Sequence, residues 1–270
     1  MSHVLKCYKC KTLPTASKVQ NLLQASTFNN GKLCLKWREH KATKPPATAT
    51  PSGTMSDKKI LTYNDVILLE SDLTILKNPH FLNDRIIEFY FSHLTSHSHL
   101  ILLVPPSITF WIINCPDTDT LPDFLHPLNL PSKTLILFPV NNNDDVTLPE
   151  GGSHWSLLAF ERTNNVFVHH DSFNGLNNNH AKRLYERVVG YLGGDMIQCP
   201  QYVDTVRTPQ QANGYDCGVY VLAIAKEICG WFVERNEELW FKVVEERVTR
   251  SSVAGMRGEI LELIRSLRGE

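Results

Sequence analysis

The sequence lacks any apolar run of about 18 residues, the length that a helix needs to cross a membrane. Even the apolar segment 219–231 is interrupted by Lys226 and Glu227. Hydrophobic residues still make up 42% of the 270 residues, as in an ordinary globular protein. We therefore expect a soluble protein with a real core, consisting of one sizeable domain or two small ones, and no membrane partner.

The sequence also lacks the cysteine pattern of a disulfide framework, because its seven cysteines are odd in number and irregular in spacing. This favours a reducing compartment such as the cytoplasm or nucleus, where a thiol stays free for chemistry. Cys7 and Cys10 form a lone CxxC motif. Only Cys34 and His40 are potential metal ligands near it, and no second pair follows at zinc-finger spacing. We expect no metal and no cofactor.

Acidic residues are almost absent from the first 54 residues, which contain nine Lys and Arg but a single acid, Glu39. The segment ends in 43–54, a stretch rich in Pro, Thr and Ala that has no means of burying surface. We predict a disordered basic extension over 1–54, followed by a catalytic domain over 55–270. Two interpretations of the extension stay open: an organellar targeting segment, or an upstream start with Met55 as the working initiator.

From about residue 60 the hydrophobic pattern becomes globular and predicts an α+β domain. Helical periodicity predicts helices at 79–94, 180–193 and 217–232, and two amphipathic helices within 235–267. Short aromatic and β-branched runs between turn-rich loops predict strands at 134–140, 153–160, 166–172 and 198–206.

The run 217–232 is apolar on nearly every side, which predicts a helix packed between a sheet and other helices. Its first residue is Cys217, and a glycine-rich turn at 213–218 leads into it. Unpaired N–H groups and the positive end of the helix dipole favour a thiolate at this position. The same N–H groups are suited to bind an oxyanion, and Gly218 is expected to leave the approach to the sulfur open. Cys217 is therefore the candidate nucleophile.

A base and its orienting group are expected at the ends of two neighbouring strands. His154 stands at the start of one predicted strand, and Asp171 stands at the end of the next. Antiparallel pairing would bring these ends together, so that the carboxylate holds the imidazole in one tautomer. Gln211, six residues before the cysteine, is placed to swing its amide toward the same oxyanion.

Taken singly, these residue types also have ordinary structural interpretations. A free cysteine is more often buried and inert, and Cys115, Cys199 and Cys229 are interpreted in that way. His169 and His170 look like ordinary strand residues, and an aspartate before a serine is often a turn residue. The functional prediction therefore depends on the occurrence of all four residues together.

Three segments together resemble the Ulp/sentrin-specific proteases (peptidase C48 type), which are cysteine peptidases that cleave after Gly-Gly. They are G-G-S-H-W-S-L-L at 151–158, H-D-S at 170–172 and Q-Q-A-N-G-Y-D-C-G-V-Y at 210–220. The order His, Asp, Gln, Cys matches that family and differs from papain-like enzymes in which cysteine comes first. The resemblance implies a papain-like fold of the Ulp type, a mixed sheet flanked by helices with the nucleophile at the N-terminus of a buried helix.

Carried over residue by residue, the resemblance implies that His154 is the base, Asp171 its orienter, Cys217 the nucleophile and Gln211 an oxyanion donor. It also implies that Trp155 roofs a tunnel for the tail of the substrate. Only residues without side chains thread between an aromatic lid and the floor of a narrow channel, which accounts for cleavage after Gly-Gly.

Within the family the sequence is most similar to the small deneddylases, which act on the ubiquitin-like modifier Nedd/Rub, from about residue 60 to the C-terminus. Three features suggest this subgroup: the near absence of sequence before the catalytic domain once the basic extension is set aside, F-L-N-D at 81–84, and the polar loop 141–152 ahead of the histidine. By resemblance, this loop closes over the bound modifier, and Asn141 and Asn142 contact it.

Two further residues near the start of the domain are expected to contact the modifier. By resemblance, Asp84 meets a basic residue of the modifier, although an aspartate on a helix surface is often simply solvated. Phe81 stands where the family typically has a tryptophan, as the second aromatic of the tunnel, and packing in the core is its ordinary alternative. The Phe81 departure and the somewhat long loop 141–152 bear on the substrate and not on the chemistry.

The sequence thus predicts hydrolysis after the C-terminal Gly-Gly of Nedd/Rub, both in its precursor and in conjugates such as cullins. We expect a monomer that binds no nucleic acid. A SUMO-specific protease shares every catalytic residue and stays open as an alternative. An inactive module that only binds the modifier would be marked by loss of the Cys, His or Asp, and none is lost here.

Overall fold

The computed structural model describes part of the first 56 residues and most of the rest of the chain. The described ranges are 57–95, 98–148, 151–193, 199–204, 207–234 and 239–269, with the backbone of 26–29 and 32–35. These last two segments are strands β1 (Ser26–Asn29) and β2 (Lys32–Leu35), which pair antiparallel. The other residues of 1–54 lie outside the described residues, so their disorder and any targeting role stay predictions.

A second compact unit spans Pro51–Glu270 and is α+β, as predicted. Its strands are β3 (Lys59–Tyr63), β4 (Val66–Leu69), β5 (Ile101–Leu103), β6 (Leu135–Asn141), β7 (Trp155–Glu161), β8 (Val166–His170) and β9 (Gln201–Asp204). Its helices are α1 (Glu70–Lys77), α2 (Asp84–Leu94), α3 (Pro106–Asn114), α4 (Leu121–Leu125), α5 (Asn178–Val188), α6 (Cys217–Glu234), α7 (Trp240–Arg247) and α8 (Arg250–Arg268). Short 3-10 helices occur at His126–Leu128, Leu130–Ser132 and Val189–Tyr191.

A five-stranded mixed sheet forms the centre of this unit, in the order β5-β6-β7-β8-β9. The central strand β7 runs antiparallel to both β6 and β8, whereas the outer strands β5 and β9 run parallel to their neighbours. Strands β3 and β4 form a separate antiparallel hairpin. In the register of β7 and β8, Leu157 lies opposite His170, so the residue before β7 and the residue after β8 come to the same edge.

The element ends differ from the predicted ones for identifiable local reasons. The helix predicted at 79–94 begins only at Asp84, because the Asn83 side chain accepts a hydrogen bond from Ile86 N–H and caps the first turn. The helix predicted at 180–193 ends at Val188 in a 3-10 turn, and Gly193 follows with a φ of 66°, a left-handed conformation that favours glycine.

Helix α6 is the centre of the core and packs against β7 of the sheet and against α2, α7 and α8. Every side chain from Cys217 to Ala225 is buried, which confirms the prediction from its uniformly apolar sequence. Strand β7 is likewise buried along its whole length, with α6 on one face. Within the described ranges, no helix combines the length and apolarity needed to span a membrane.

A buried carboxylate joins α1 to the start of α2. Asp72 has no exposed surface and accepts hydrogen bonds from Leu69 N–H at 2.8 Å and from the Asn83 amide at 2.7 Å. Arg85 donates to both of its oxygens, from Nη2 at 3.0 Å and from Nε at 3.1 Å. The segment 81–85 is therefore held in place from α1 by one side chain.

Replacing Asp72 with alanine is expected to lower the free energy of unfolding by about 2–4 kcal/mol, because the Leu69 N–H and the Asn83 amide lose their acceptor. Urea denaturation of the two proteins measures this difference. As a control, Glu70→Ala removes an exposed acid from the same helix and is expected to change stability by less than about 0.5 kcal/mol. Equal losses in the two variants would contradict the assigned role of Asp72.

Candidate active site

The structure brings together the four residues for which the sequence predicts chemistry. His154 directly precedes β7, Asp171 directly follows β8, and Cys217 is the first residue of α6, which packs on β7. Gln211 lies six residues before Cys217, and its backbone N–H donates to the Ser172 carbonyl at 2.9 Å. Two strand ends, a helix start and the segment before that helix therefore meet at one place.

His154 and Asp171 form a buried hydrogen bond, with 2.7 Å between Nε2 and Oδ1. The carboxylate also accepts the backbone N–H of Phe173 on Oδ1 and that of Asn177 on Oδ2, each at 2.8 Å. Burial acts to raise the pKa of Asp171, but the hydrogen bonds from His154 and from these N–H groups hold it below its usual range. Asp171 is therefore an anion that orients the imidazole.

The imidazole also interacts with the Cys217 thiol. Because Nε2 faces Asp171, the other ring nitrogen, Nδ1, is left for the sulfur. Burial acts to lower the pKa of His154, but the hydrogen bonds with Asp171 and Cys217 outweigh it and raise the pKa to about 9. An imidazolium at neutral pH stabilises a neighbouring thiolate, so the arrangement is suited to nucleophilic chemistry.

The turn before α6 is held by its own side chains. Asn213 Oδ1 accepts the backbone N–H groups of Tyr215 at 3.1 Å and Asp216 at 3.0 Å, and its Nδ2 donates to Asp216 Oδ2 at 2.7 Å. Gln211 donates from Nε2 to the Asn213 carbonyl at 2.7 Å, and its Oε1 accepts from the Ser172 hydroxyl at 2.7 Å. This uses one of the two Nε2 hydrogens and attaches the Gln211 amide to the turn that leads into Cys217.

Arg257 ties the same turn to the C-terminal helix α8. Its Nη2 donates at 2.9 Å to Oδ1 of Asp216, the residue directly before Cys217. The guanidinium also donates to three backbone carbonyls that precede α2. They are those of Ile75 at 3.0 Å, Asn78 at 3.2 Å and His80 at 2.7 Å. One side chain thus links the nucleophile turn to the segment that leads into 81–84.

Gly218 also has a packing role that the sequence did not predict. A Cβ atom at this position would lie 2.9 Å from Leu82 Cβ, inside the normal contact distance. The missing side chain therefore lets α6 pack closely against Leu82. Cys217 itself is fully buried, and the expectation that Gly218 leaves the approach to its sulfur open stays a prediction.

Trp155 is anchored to the segment before α2. Its indole Nε1 donates to the Leu82 carbonyl at 3.1 Å, and the side chain is buried. Phe81, the next residue back, is 49% exposed, so the alternative of core packing is not what the structure shows. Asp84 is the first residue of α2, where a carboxylate interacts favourably with the helix dipole. Trp155 is therefore attached to the short segment that also carries Phe81 and Asp84.

The loop before His154 is braced by asparagines. Asn142 Oδ1 accepts the N–H of Ser153 at 2.7 Å and that of His154 at 3.0 Å, and its Nδ2 donates to Ser153 Oγ at 3.1 Å. Asn141 Oδ1 accepts the Asn143 N–H at 2.9 Å. Both amides, for which we predicted contact with the modifier, thus have partners inside the loop, and Asn142 fixes the backbone of His154.

The same loop is attached to helix α5. Asp144 pairs with Arg183 at 2.9 Å and with His180 at 3.2 Å. The buried Asn143 donates to the Leu148 carbonyl at 2.7 Å. The part of the loop that the structure describes is therefore ordered by polar contacts.

The remaining histidines and cysteines mostly match their ordinary interpretations. His169 and His170 are buried in β8, and burial together with the nearby His169 lowers the pKa of His170 to about 3. Cys115 and Cys229 are buried, but Cys199 is exposed, so the prediction for it is wrong. It lies at the approach to the edge strand β9, with Sγ 3.5 Å from Tyr185 Oη. The described residues include no group of three or more His, Cys, Asp or Glu placed to hold a metal ion.

The sequence did not predict a role in the site for three residues. Asn177 donates to Asp171 from a loop, and Arg257 contacts the nucleophile turn from 41 positions away in sequence. Leu82 contributes its carbonyl to the Trp155 indole and its side chain to the packing against Gly218. Their roles depend on contacts between distant segments, and only the hydrophobic pattern of Leu82 is visible in the sequence.

Solved structures support the architecture. A structure described as a de-sumoylating protease covers 78% of this chain and 91% of its own, with a TM-score of 0.58 and 18% identity. The C-terminal Ulp1 protease domain in complex with Smt3, the yeast ortholog of SUMO, covers 80% and 90%, with a TM-score of 0.55 and 18% identity. At this identity the likeness shows the fold, which is that of the Ulp proteases.

Sequence comparisons identify the family. Residues 121–250 match the Ulp1 protease family, C-terminal catalytic domain. The NEDD8-specific protease 1 of Arabidopsis thaliana is 51% identical over 225 residues, which cover 81% of this chain and 97% of the relative. The human sentrin-specific protease 8 is 33% identical over 218 residues, or 78% and 98% of the two chains. The chain therefore belongs to the Ulp1 family of cysteine proteases, which act on ubiquitin-like modifiers.

Proposed function

We propose that this protease hydrolyses the bond after the C-terminal Gly-Gly of the modifier NEDD8, both in its precursor and in its conjugates. The buried Cys217–His154–Asp171 arrangement is the observation that carries the chemistry. The choice of modifier is supported by the 51% identity to a protein named NEDD8-specific protease 1. Cullin conjugates as targets, a monomeric enzyme and a location in the cytoplasm or nucleus belong to the same proposal.

In the proposed mechanism the Cys217 thiolate attacks the carbonyl carbon of the last glycine. The resulting oxyanion accepts hydrogen bonds from N–H groups at the start of α6 and from the Gln211 amide. His154 then gives its proton to the leaving amine as the C–N bond breaks, which forms a thioester. His154 next takes a proton from water, the water attacks the thioester, and the thiolate is released.

The Gly-Gly requirement follows from the anchoring of Trp155. Its indole is buried and hydrogen-bonded to the Leu82 carbonyl, so the ring is held against the segment before α2. A substrate tail that reaches Cys217 passes beside this ring. A side chain on either of its last two residues would collide with the indole or with the backbone at 81–82.

SUMO is the main alternative substrate. The two solved structures above are SUMO proteases by their descriptions, but at 18% identity they support the fold and not the substrate. The alternative of an inactive binding module is disfavoured, because Cys217, His154 and Asp171 are all present and in contact.

Reaction with the C-terminal vinyl sulfone forms of NEDD8, SUMO and ubiquitin tests the choice of modifier. We expect the NEDD8 probe to label Cys217 at least about tenfold faster than either other probe, a difference of roughly 1.4 kcal/mol. Intact mass and peptide mapping identify the labelled residue. Labelling must be absent in Cys217→Ala and unchanged in Cys199→Ala, which removes the exposed cysteine. Exclusive labelling by the SUMO probe would overturn the proposal.

Loss of the orienting carboxylate is expected to reduce turnover more than binding. In Asp171→Asn the tautomer of His154 is no longer set by an anion, so kcat for a NEDD8–aminomethylcoumarin substrate is expected to fall by about 100-fold or more, with a smaller change in KM. Steady-state kinetics measure both constants. The matched control Asp144→Asn removes a carboxylate that pairs with α5 and should retain nearly full kcat. A wild-type kcat in Asp171→Asn would exclude its assigned role.

The pH dependence of kcat/KM is expected to show an alkaline limb near pH 9. His154 has a pKa raised to about 9, so its proton is present at neutral pH and is lost as the pH rises through that value. Because Asp171 holds this pKa up, Asp171→Asn should move the limb toward lower pH. A limb at the same pH in both proteins would mean that another group titrates there.

A further inference from the structure

We propose that Asn177 is a positioning residue that holds His154 and Asp171 at their working distance. The inference rests on the proposed catalytic roles of those two residues. Asn177 has no exposed surface and lies in the loop between β8 and α5. It is outside the motifs by which the sequence was interpreted, and it does not itself touch the reacting atoms.

The backbone of Asn177 holds the carboxylate. Its N–H donates to Asp171 Oδ2 at 2.8 Å, while Oδ1 of the same carboxylate takes the His154 ring at 2.7 Å. Each carboxylate oxygen of Asp171 therefore has its own partner, the imidazole on Oδ1 and the Asn177 N–H on Oδ2. Rotation of the carboxylate away from the imidazole would break the bond to Asn177 as well.

The side chain of Asn177 holds the histidine. Its Nδ2 lies 3.3 Å from the His154 carbonyl oxygen, 3.1 Å from Ser156 Oγ and 3.0 Å from the Val140 carbonyl oxygen. The last of these groups belongs to β6 and the other two flank the start of β7. One amide therefore fastens the end of β6 and the start of β7 to the loop that carries Asp171.

The orientation of this amide is determined by its surroundings. Three acceptors surround Nδ2, whereas Oδ1 is buried and has no hydrogen-bond partner in the described part of the chain. A flipped amide would place Oδ1 against two carbonyl oxygens, which repel it. The protein thus leaves a buried acceptor unpaired, at a cost in stability, and retains the contacts to His154 and to β6.

A second layer of hydrogen bonds supports Asn177. Ser156 Oγ, which is close to Nδ2, lies 2.9 Å from His169 Nε2, and His169 Nδ1 lies 3.0 Å from Asp204 Oδ1. Ser156 and His169 are both buried. This chain crosses from β7 through β8 to β9, so the sheet itself fixes the position of the Asn177 amide.

Asn177→Ala tests the proposal, with Asn179→Ala, an exposed position in α5, as the matched control. We expect kcat for a NEDD8–aminomethylcoumarin substrate to fall by about 10–100-fold with KM changed far less, because positioning partners of this kind typically contribute that much. The rate of Cys217 alkylation by iodoacetamide should fall at neutral pH, because the thiolate is less well stabilised, and the alkaline limb of kcat/KM should move to lower pH. Asn179→Ala should match the wild type in every measurement.

Ser156→Ala is a second variant that conserves volume and removes one acceptor of the Asn177 amide. A smaller decrease in kcat in the same direction is expected. If Asn177→Ala does not fold, Ser156→Ala decides the question. A variant that melts at lower temperature but keeps the wild-type kcat and pH profile would overturn the proposal and leave Asn177 a purely structural residue.

The alkylation measurement separates this inference from the choice of modifier. If the wild-type protein does not cleave the NEDD8 reporter, the proposed substrate is wrong. The reactivity of Cys217 with iodoacetamide still shows whether Asn177 supports the thiol and its base, because that reagent requires no modifier.

Discussion

The packing of α6 on β7 is the constraint on which the whole site depends. Every residue from Cys217 to Ala225 is buried, so a shift of this helix would expose apolar surface. Each Å² exposed would cost about 25 cal/mol of folding free energy. Cys217 begins the helix and His154 directly precedes the strand. Apolar packing therefore determines the separation of a thiol and an imidazole, although neither group contributes much to that packing energy.

Carboxylates then give the ends of these elements their precise geometry. Asp171 accepts one imidazole and two backbone N–H groups, and Asp216 accepts Arg257 beside the nucleophile. Each anion is buried or half-buried and is compensated by several donors, which is the condition under which a charge is tolerated away from water. The hydrogen bond between His154 and Asp171 both helps to raise the pKa of His154 and helps to hold that of Asp171 down, so one contact serves the structure and the reactivity.

The walls beside the nucleophile come from segments far apart in the chain. Arg257 from α8 holds the carbonyls that precede α2, Leu82 packs against Gly218, and the Leu82 carbonyl accepts the Trp155 indole. The C-terminal helix thereby contributes to the shape of a site whose reacting groups lie elsewhere.

The sequence by itself determined the α+β class, the buried helix behind Cys217 and the pairing of His154 with Asp171. These depend on hydrophobic periodicity and on the alternation of strands, which are local properties. Only the tertiary structure decided the packing reason for Gly218, the exposure of Cys199, the use of Asn142 inside its loop, and the contacts of Asn177 and Arg257. Each of these arises where segments distant in sequence meet, and a hydrogen bond between such segments leaves no periodic pattern in the chain.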